Sequence, residues 1–262
     1  MKRIDLNKIE HNVKVGDICE YIEPNVTEDC MFYLDGEPIG FYMTKMPEKM
    51  CKLADLANLE FRSKNVPKTV MTRQIPDGKD EKGVYKYRNV VEQYSTILGG
   101  VPPKPHMRRN YATMSSVHSV KSAQTFIKAM LLLAQESENL IKEILPSQYE
   151  KQIELFNDVM PEYKFGKLFT SSISNFNISA PFHRDTGNIV GAVNVIICKK
   201  FNSKGGDLNI PDYGATIGQK DNSILVYPAW LNIHGVTPII PTHKGGYRNS
   251  LVFYPLKAFL NK

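Results

Sequence analysis

The spacing of apolar positions changes several times along the chain, and each change predicts a different kind of element. Residues 1 to about 43 mix short apolar runs with turn formers: Gly36 and Gly40 punctuate Phe32, Tyr33, Ile39, Phe41 and Tyr42, a pattern of short strands and turns. Over residues 46 to 60, Met50, Leu53, Leu56, Ala57 and Leu59 fall at mostly helical spacing. Between about 62 and 120, Arg62, Lys64, Lys68, Arg73, Arg88, Lys104, Arg108 and Arg109 are interleaved with Gly, Pro and aromatic residues, which reads mostly as loop. From Ser122 to Leu145 the period is that of a long amphipathic helix, with Ser122 as candidate N-cap, Phe126, Ile127, Met130, Leu133, Leu140, Ile141 and Ile144 on the buried face, and Pro146 as the stop. A second helix is expected from about Gln148 to Met160.

After Pro161 the chain turns to short β-branched and aromatic runs separated by Gly, Asn, Asp and Pro. Candidate strands lie at about 165–178, 191–199, 207–210, 214–217, 223–227, 232–238 and 248–254. Short runs of this kind with turns between them read as an antiparallel sandwich or jelly roll. The expected fold is α+β: a double-stranded β-helix (jelly roll) core over 161–262, buttressed by helices, with residues 1–160 as an N-terminal mixed α/β elaboration of one domain, 1–262.

Composition narrows the class. With 42% apolar and 23% charged residues the chain is set for a packed core rather than disorder. The longest apolar stretch, Phe126 to Ala134, is interrupted by Lys128 and too short to span a bilayer of about 30 Å. The N-terminus has no signal-peptide core, so the expected location is cytoplasmic, or nuclear in a eukaryotic host, with no membrane partner and no obligate protein partner. Four cysteines at irregular intervals, without a C-x-x-C pair, read as reduced thiols rather than a disulfide framework or zinc site. A formal charge of +6 makes a polyanion such as DNA a reasonable partner, because Lys and Arg release counterions from phosphate.

The candidate chemistry centres on His183-Arg184-Asp185. Two ligands two residues apart on extended backbone face the same way. His234, in Asn232-Ile233-His234-Gly235-Val236, is a candidate third. Two imidazoles and one carboxylate form the facial triad expected of non-haem Fe(II) oxygenases, which leaves open positions for a bidentate 2-oxo acid and O2. An H-x-D tripeptide alone is weak, since histidines in strands are more often satisfied core residues. Arg248-Asn249-Ser250 strengthens it: a guanidinium fork and a hydroxyl two residues apart on one strand face can bind the far carboxylate of a dicarboxylic acid.

The order His183-x-Asp185, Gly205-Gly206-Asp207-Leu208-Asn209-Ile210-Pro211, Asp221-x-x-x-Leu225-x-Tyr227-Pro228, His234-Gly235-Val236-x-Pro238 and Arg248-x-Ser250 resembles the Fe(II)/2-oxoglutarate-dependent dioxygenase superfamily over roughly residues 165 to 256. Within it, Ser179-Ala180-Pro181-Phe182-His183-Arg184-Asp185-Thr186-Gly187-Asn188 is most similar to the TET/JBP group, hydroxylases of the methyl group of thymine or 5-methylcytosine in nucleic acid. The resemblance implies Fe(II) on His183, Asp185 and His234, and 2-oxoglutarate anchored by Arg248 and Ser250, with succinate and CO2 released. It also implies that Asn188 contacts the base edge, although Thr186-Gly187-Asn188 equally suits a plain turn.

Further candidates surround these. Asn175, on the strand approaching the triad, could hydrogen-bond cosubstrate or substrate, or simply face solvent. The Gly/Pro-shaped basic loop at 93–109, with Arg73, Arg108 and Arg109, could contact phosphates, while Tyr94 or Tyr111 could stack on an extruded base. Trp230 is expected to pack at the barrel mouth, and His106, His118 and His243 are surface or structural residues. The same chemistry on a free nucleotide, an amino acid or a protein side chain is the alternative. A non-catalytic DNA-binding module would require loss of a ligand or of Arg248, and all four residues are present.

Overall fold

The computed structural model describes residues 1–71, 74–89 and 92–261. The chain opens with β1 (Lys2–Asp5), β2 (Cys30–Leu34) and β3 (Glu37–Met43), then α1 (Glu48–Arg62). Next come β4 (Thr69–Val70), β5 (Gln74–Lys79), β6 (Tyr85–Asn89), β7 (Tyr94–Val101) and β8 (Thr113–Met114), followed by α2 (Gln124–Ile144) and α3 (Pro146–Phe156). The remainder is β: β9 (Ser171–Phe176), β10 (Ala180–His183), β11 (Asn194–Phe201), β12 (Ser203–Gly205), β13 (Leu208–Ile210), β14 (Ala215–Ile217), β15 (Ile224–Tyr227), β16 (His234–Val236), β17 (Ile239–Pro241) and β18 (Tyr247–Tyr254).

A ten-stranded sheet runs β1-β2-β3-β15-β11-β18-β9-β7-β4, with β8 attached to β7, and a four-stranded sheet runs β10-β16-β13-β14. The period-2 pattern assigns each face of the large sheet. On β18, Leu251 and Phe253 join the core beneath α1 and α2, while Arg248, Ser250, Val252 and Tyr254 turn to the other face and line a cavity. On β11, Val195 and Ile197 likewise go to the helix side and Asn194 and Ile196 to the cavity. The small sheet closes that cavity from the opposite side through β10, β13 and β16. Two packed sheets with helices behind the larger one form the expected jelly roll, and the cavity is the space between them.

The helices predicted at 46–60, 122–145 and 148–160 are present with shifted ends. Ser122 does not cap α2: the capping position is Ala123, and the Ser122 hydroxyl donates to the Asn65 carbonyl instead. The stretch from 62 to 120 departs most from its loop reading. It holds β7, which pairs with β9 over six residues from Tyr94↔Phe176 to Gly99↔Ser171 and buries Tyr94 and Leu98 under the helices. Gly99 and Gly100 lie inside this strand because neighbours leave no room for a side chain. A Cβ on Gly99, whose φ is +78°, would lie 2.4 Å from the Thr170 oxygen, and one on Gly100 2.5 Å from the Phe259 ring. The large sheet thus draws β1–β3 and β7 from the part of the chain expected to be an elaboration outside the jelly roll.

All four cysteines are free and buried. Among the described residues, no helix is long and apolar enough to cross a membrane.

Candidate metal centre and cosubstrate cavity

β10 and β16 are antiparallel neighbours whose register places His183 opposite His234, after an irregularity between Ala180 and His183. The two rings sit 4.4 Å apart, tilted by 57°. Asp185 lies just past the end of β10, its N–H on the Ala229 carbonyl at 3.3 Å. One ligand atom from each of the three residues lies within 4.8 Å of the others, a group able to hold a metal ion.

Hydrogen bonds set the two imidazoles for this work. His183 Nδ1 donates to the Pro181 carbonyl at 2.8 Å and His234 Nδ1 to the Asn232 carbonyl at 3.1 Å, which directs each Nε2 lone pair outward. Burial keeps the pKa of His234 below its ordinary value, against the pull of Asp185, and so favours the neutral ligating form. Asp185 Oδ2 accepts from Asn194 Nδ2 at 3.2 Å, and Asn194 Oδ1 accepts from Asn188 Nδ2 at 2.9 Å. Asn188 also closes a turn, its N–H on the Asp185 carbonyl. It is buried, yet it lines the cavity.

The cavity beside the triad measures about 330 Å³. At its other end Arg248 is 4% exposed, its Nε has no hydrogen-bond partner, and among the described residues no carboxylate lies within ion-pair distance of its guanidinium. A buried cation left unpaired is costly, so this arrangement calls for an anion from outside. The backbone holds it firmly: Arg248 N–H donates to Asn177 Oδ1 at 2.9 Å, and Asn177, with φ +55°, donates its own N–H to the Arg248 carbonyl. Ser250 and its cross-strand partner Asn175 line the same wall. An imidazole–imidazole–carboxylate donor set at one end of a cavity and an unpaired guanidinium at the other fits an Fe(II) centre with a dicarboxylic 2-oxo acid.

Residues 101–257 match the Tet_JBP family, the oxygenase domain of the 2OGFeDO superfamily. The chain belongs to the Tet/JBP oxygenases. Members of this superfamily use Fe(II), 2-oxoglutarate and O2, and the chain is a dioxygenase. Its fold is similar to that of NgTET1 in complex with 5mC DNA, at 13% identity, with 94% of this chain and 84% of that chain covered and a TM-score of 0.61. A 2OG-Fe(II) oxygenase family protein from Burkholderia pseudomallei is 14% identical over 82% of this chain and 84% of its own, with a TM-score of 0.42. No curated protein sequence matches the chain.

Against this Tet/JBP frame the outer candidates divide. Tyr94 is a correction: its ring is buried, stacks on Phe176 at 4.5 Å and meets Phe61 edge-on, and burial pushes its phenol up to about 12, so it is core and not a base-stacking platform. Arg109 is half-buried, its guanidinium turned into its own loop, onto the Pro102 carbonyl and towards Thr113. Arg108 is exposed with φ +59°, and Tyr111 is exposed too. Arg73 lies outside the described residues. Trp230 donates to the Ala192 carbonyl at 2.9 Å, and His118 Nε2 accepts from Gly99 N–H, a structural role; burial lowers the pKa of His118.

Sequence reasoning missed the contribution of the N-terminal segment. Gly16 and Asp17 exchange backbone hydrogen bonds with Phe182, beside His183. Cys19 packs so tightly on Gly235, beside His234, that a Cβ there would lie 2.8 Å from the Cys19 Cβ. His11 Nε2 donates to Asp212 at 2.7 Å, and Asp212 accepts from the side chain of Asn232, whose carbonyl receives His234 Nδ1–H. No spacing rule links residues 11–19 to positions 180–235. Tyr254 was missed too, although it continues the Arg248-x-Ser250 alternation into the cavity wall, a signal that could have found it.

Proposed function

We propose that the chain hydroxylates the 5-methyl group of a pyrimidine base, thymine or 5-methylcytosine, in DNA, releasing succinate and CO2. The observation that carries the oxygenase part of this reading is the unpaired, buried Arg248 in one cavity with the His183, Asp185 and His234 donor set. Family membership and a fold similar to NgTET1 in complex with 5mC DNA support a nucleobase as the target.

In this reading His183, Asp185 and His234 hold the iron, and Arg248 with Ser250 binds the far carboxylate of 2-oxoglutarate. Bound Fe(II), with its cosubstrate and dioxygen, supplies the oxidation of an unactivated C–H bond. The protein positions the target. Ile173, Ile196, Val236 and Val252 give the cavity an apolar lining suited to a methyl group, and Tyr254 offers a flat aromatic wall for a base. Asn188, with its Oδ1 not committed to Asn194, can accept from a base edge. The loop bearing Lys104 and Arg108 is placed close to this rim, because Ala112 packs in one apolar cluster with Ile189 and Leu256, which flank Asn188 and the cavity. A base must leave the duplex to enter, at a cost of a few kcal/mol, and the exposed Arg108 with the half-buried Lys104 and the +6 charge help to offset it.

The deciding experiment incubates the protein with Fe(II), 2-oxoglutarate and DNA carrying thymine and 5-methylcytosine, digests to nucleosides and weighs them. A hydroxymethyl nucleoside, dependent on 2-oxoglutarate and lost in Asp185→Ala, is the expected product. Succinate release with a free nucleotide, amino acid or protein, and none with DNA, would move the substrate to that class.

A further inference from the structure

We propose that Gln219 is an anchor for the far carboxylate of the cosubstrate, binding it together with Arg248; the proposal rests on the oxygenase reading of this cavity. Gln219 follows β14 and lines the same space as Arg248, Ser250 and the triad. It is 1% exposed, yet neither its Nε2 nor its Oε1 has a hydrogen-bond partner. Buried primary amides are rarely left wholly unmet, because each lost bond to water must be replaced. Ser174, Ser223 and Asn249 also carry an unmatched buried atom, but none of them lines the cavity. Gln219 does, and both ends of its amide are free.

Its backbone is held in place. Gln219 N–H donates to Asp207 Oδ1 at 2.8 Å, and its carbonyl accepts from Lys200 Nζ at 3.0 Å. Lys200 is the cross-strand partner of Arg248, so this contact brings Gln219 to the Arg248 end of the cavity. Lys200 Nζ lies 3.7 Å from Asp207 Oδ1, which balances that cation within the clamp and leaves Arg248 as the charge facing a ligand. A carboxylate offers about four lone-pair sites, more than a guanidinium fork and one hydroxyl use. An amide N–H takes a further one without adding charge. The geometry therefore suits a 2-oxo acid with a second carboxylate.

The test loads the full chain with Mn(II) and titrates it calorimetrically with 2-oxoglutarate and with 2-oxobutyrate, which keeps the 2-oxo acid end but has no far carboxylate. Gln219→Leu is expected to weaken 2-oxoglutarate about tenfold, the scale of one hydrogen bond to a charged group, and to leave 2-oxobutyrate unchanged. Gln219→Glu, which sets a carboxylate against a carboxylate, is expected to weaken 2-oxoglutarate well beyond the leucine variant, again sparing 2-oxobutyrate. Gln219→Met replaces the leucine variant if that one fails to fold. Wild-type affinity for 2-oxoglutarate in Gln219→Leu, or equal loss of both acids, overturns the proposal. Sensitivity to Arg248→Leu without sensitivity to Gln219→Leu sinks this inference alone, whereas no metal-dependent binding of 2-oxoglutarate by the wild-type chain sinks the oxygenase reading with it.

Discussion

Asp185 is steadied by Asn194, and Asn194 by Asn188, so the orientation of one ligand depends on two neutral amides. Asn194→Ala is expected to lower Fe(II) affinity by roughly 10- to 100-fold, as loss of a group orienting a metal ligand commonly does, with little change in far-UV circular dichroism; metal titration under argon checks it. Glu138 is a second informative residue. One of its oxygens accepts the N–H groups of Lys167 and Leu168 at 2.6 and 3.0 Å, and burial raises its pKa above the ordinary value. A raised carboxyl pKa favours folding fully at pH below the unfolded value and loses that contribution as pH rises through the folded one. Glu138→Gln keeps the accepting oxygen and removes the buried charge, so its melting temperature should exceed wild type at pH 7 and not at pH 4. Arg248 and Ser250 were legible in the sequence because strand periodicity puts them on one face, whereas His183, Asp185 and His234 were legible from the order of the motifs, since Asp185 lies beyond the end of β10. Asn194, Gln219 and His11 were not, since amides and imidazoles that meet only through tertiary structure leave no spacing behind.

At the scale of elements, the three helices and most strands after residue 161 could be read because their apolar positions keep one period; β10, β12 and β17, of three or four residues each, fall between the expected strands and are too short to show one. Nor could β7 be read. Gly99-Gly100 followed by Val101-Pro102-Pro103 carries the marks of a loop, and only the closeness of Thr170 and Phe259 explains glycines inside a sheet. Gly99→Ala is expected to destabilise the fold by about 2 kcal/mol or more, combining a positive φ with a backbone clash, as measured by urea unfolding. Ser122→Ala should cost less than a true N-cap loss of about 1 kcal/mol, because its hydroxyl ties to Asn65 and leaves the α2 N–H groups alone.

For the whole molecule, ligands that bind only the folded state should raise its melting temperature. At about 100 times its dissociation constant a ligand contributes about 2.7 kcal/mol, so Mn(II) with 2-oxoglutarate should shift unfolding upward, and Arg248→Leu should abolish the increment due to the acid while keeping that due to the metal. DNA binding should weaken linearly with the logarithm of salt concentration, and Arg108→Ala should reduce that slope by about 1 if the side chain meets one phosphate. An unchanged slope would place the DNA elsewhere on the surface. The α+β jelly roll and the basic balance were legible at this scale; the reach of the large sheet into residues 1–101 was not, because pairing partners far apart in sequence share no local pattern.

The segment from His11 to Cys19 straddles both ligand-bearing strands, touching Phe182 on one side and Gly235 on the other. It acts as a strap over the two strands that carry the histidines. The family match begins only at residue 101, so a chain trimmed to that match would keep every proposed iron ligand while losing the strap and β1–β3. Such a fragment should bind metal loosely if it folds at all, and the working unit of this oxygenase is therefore longer than the stretch by which it is recognised.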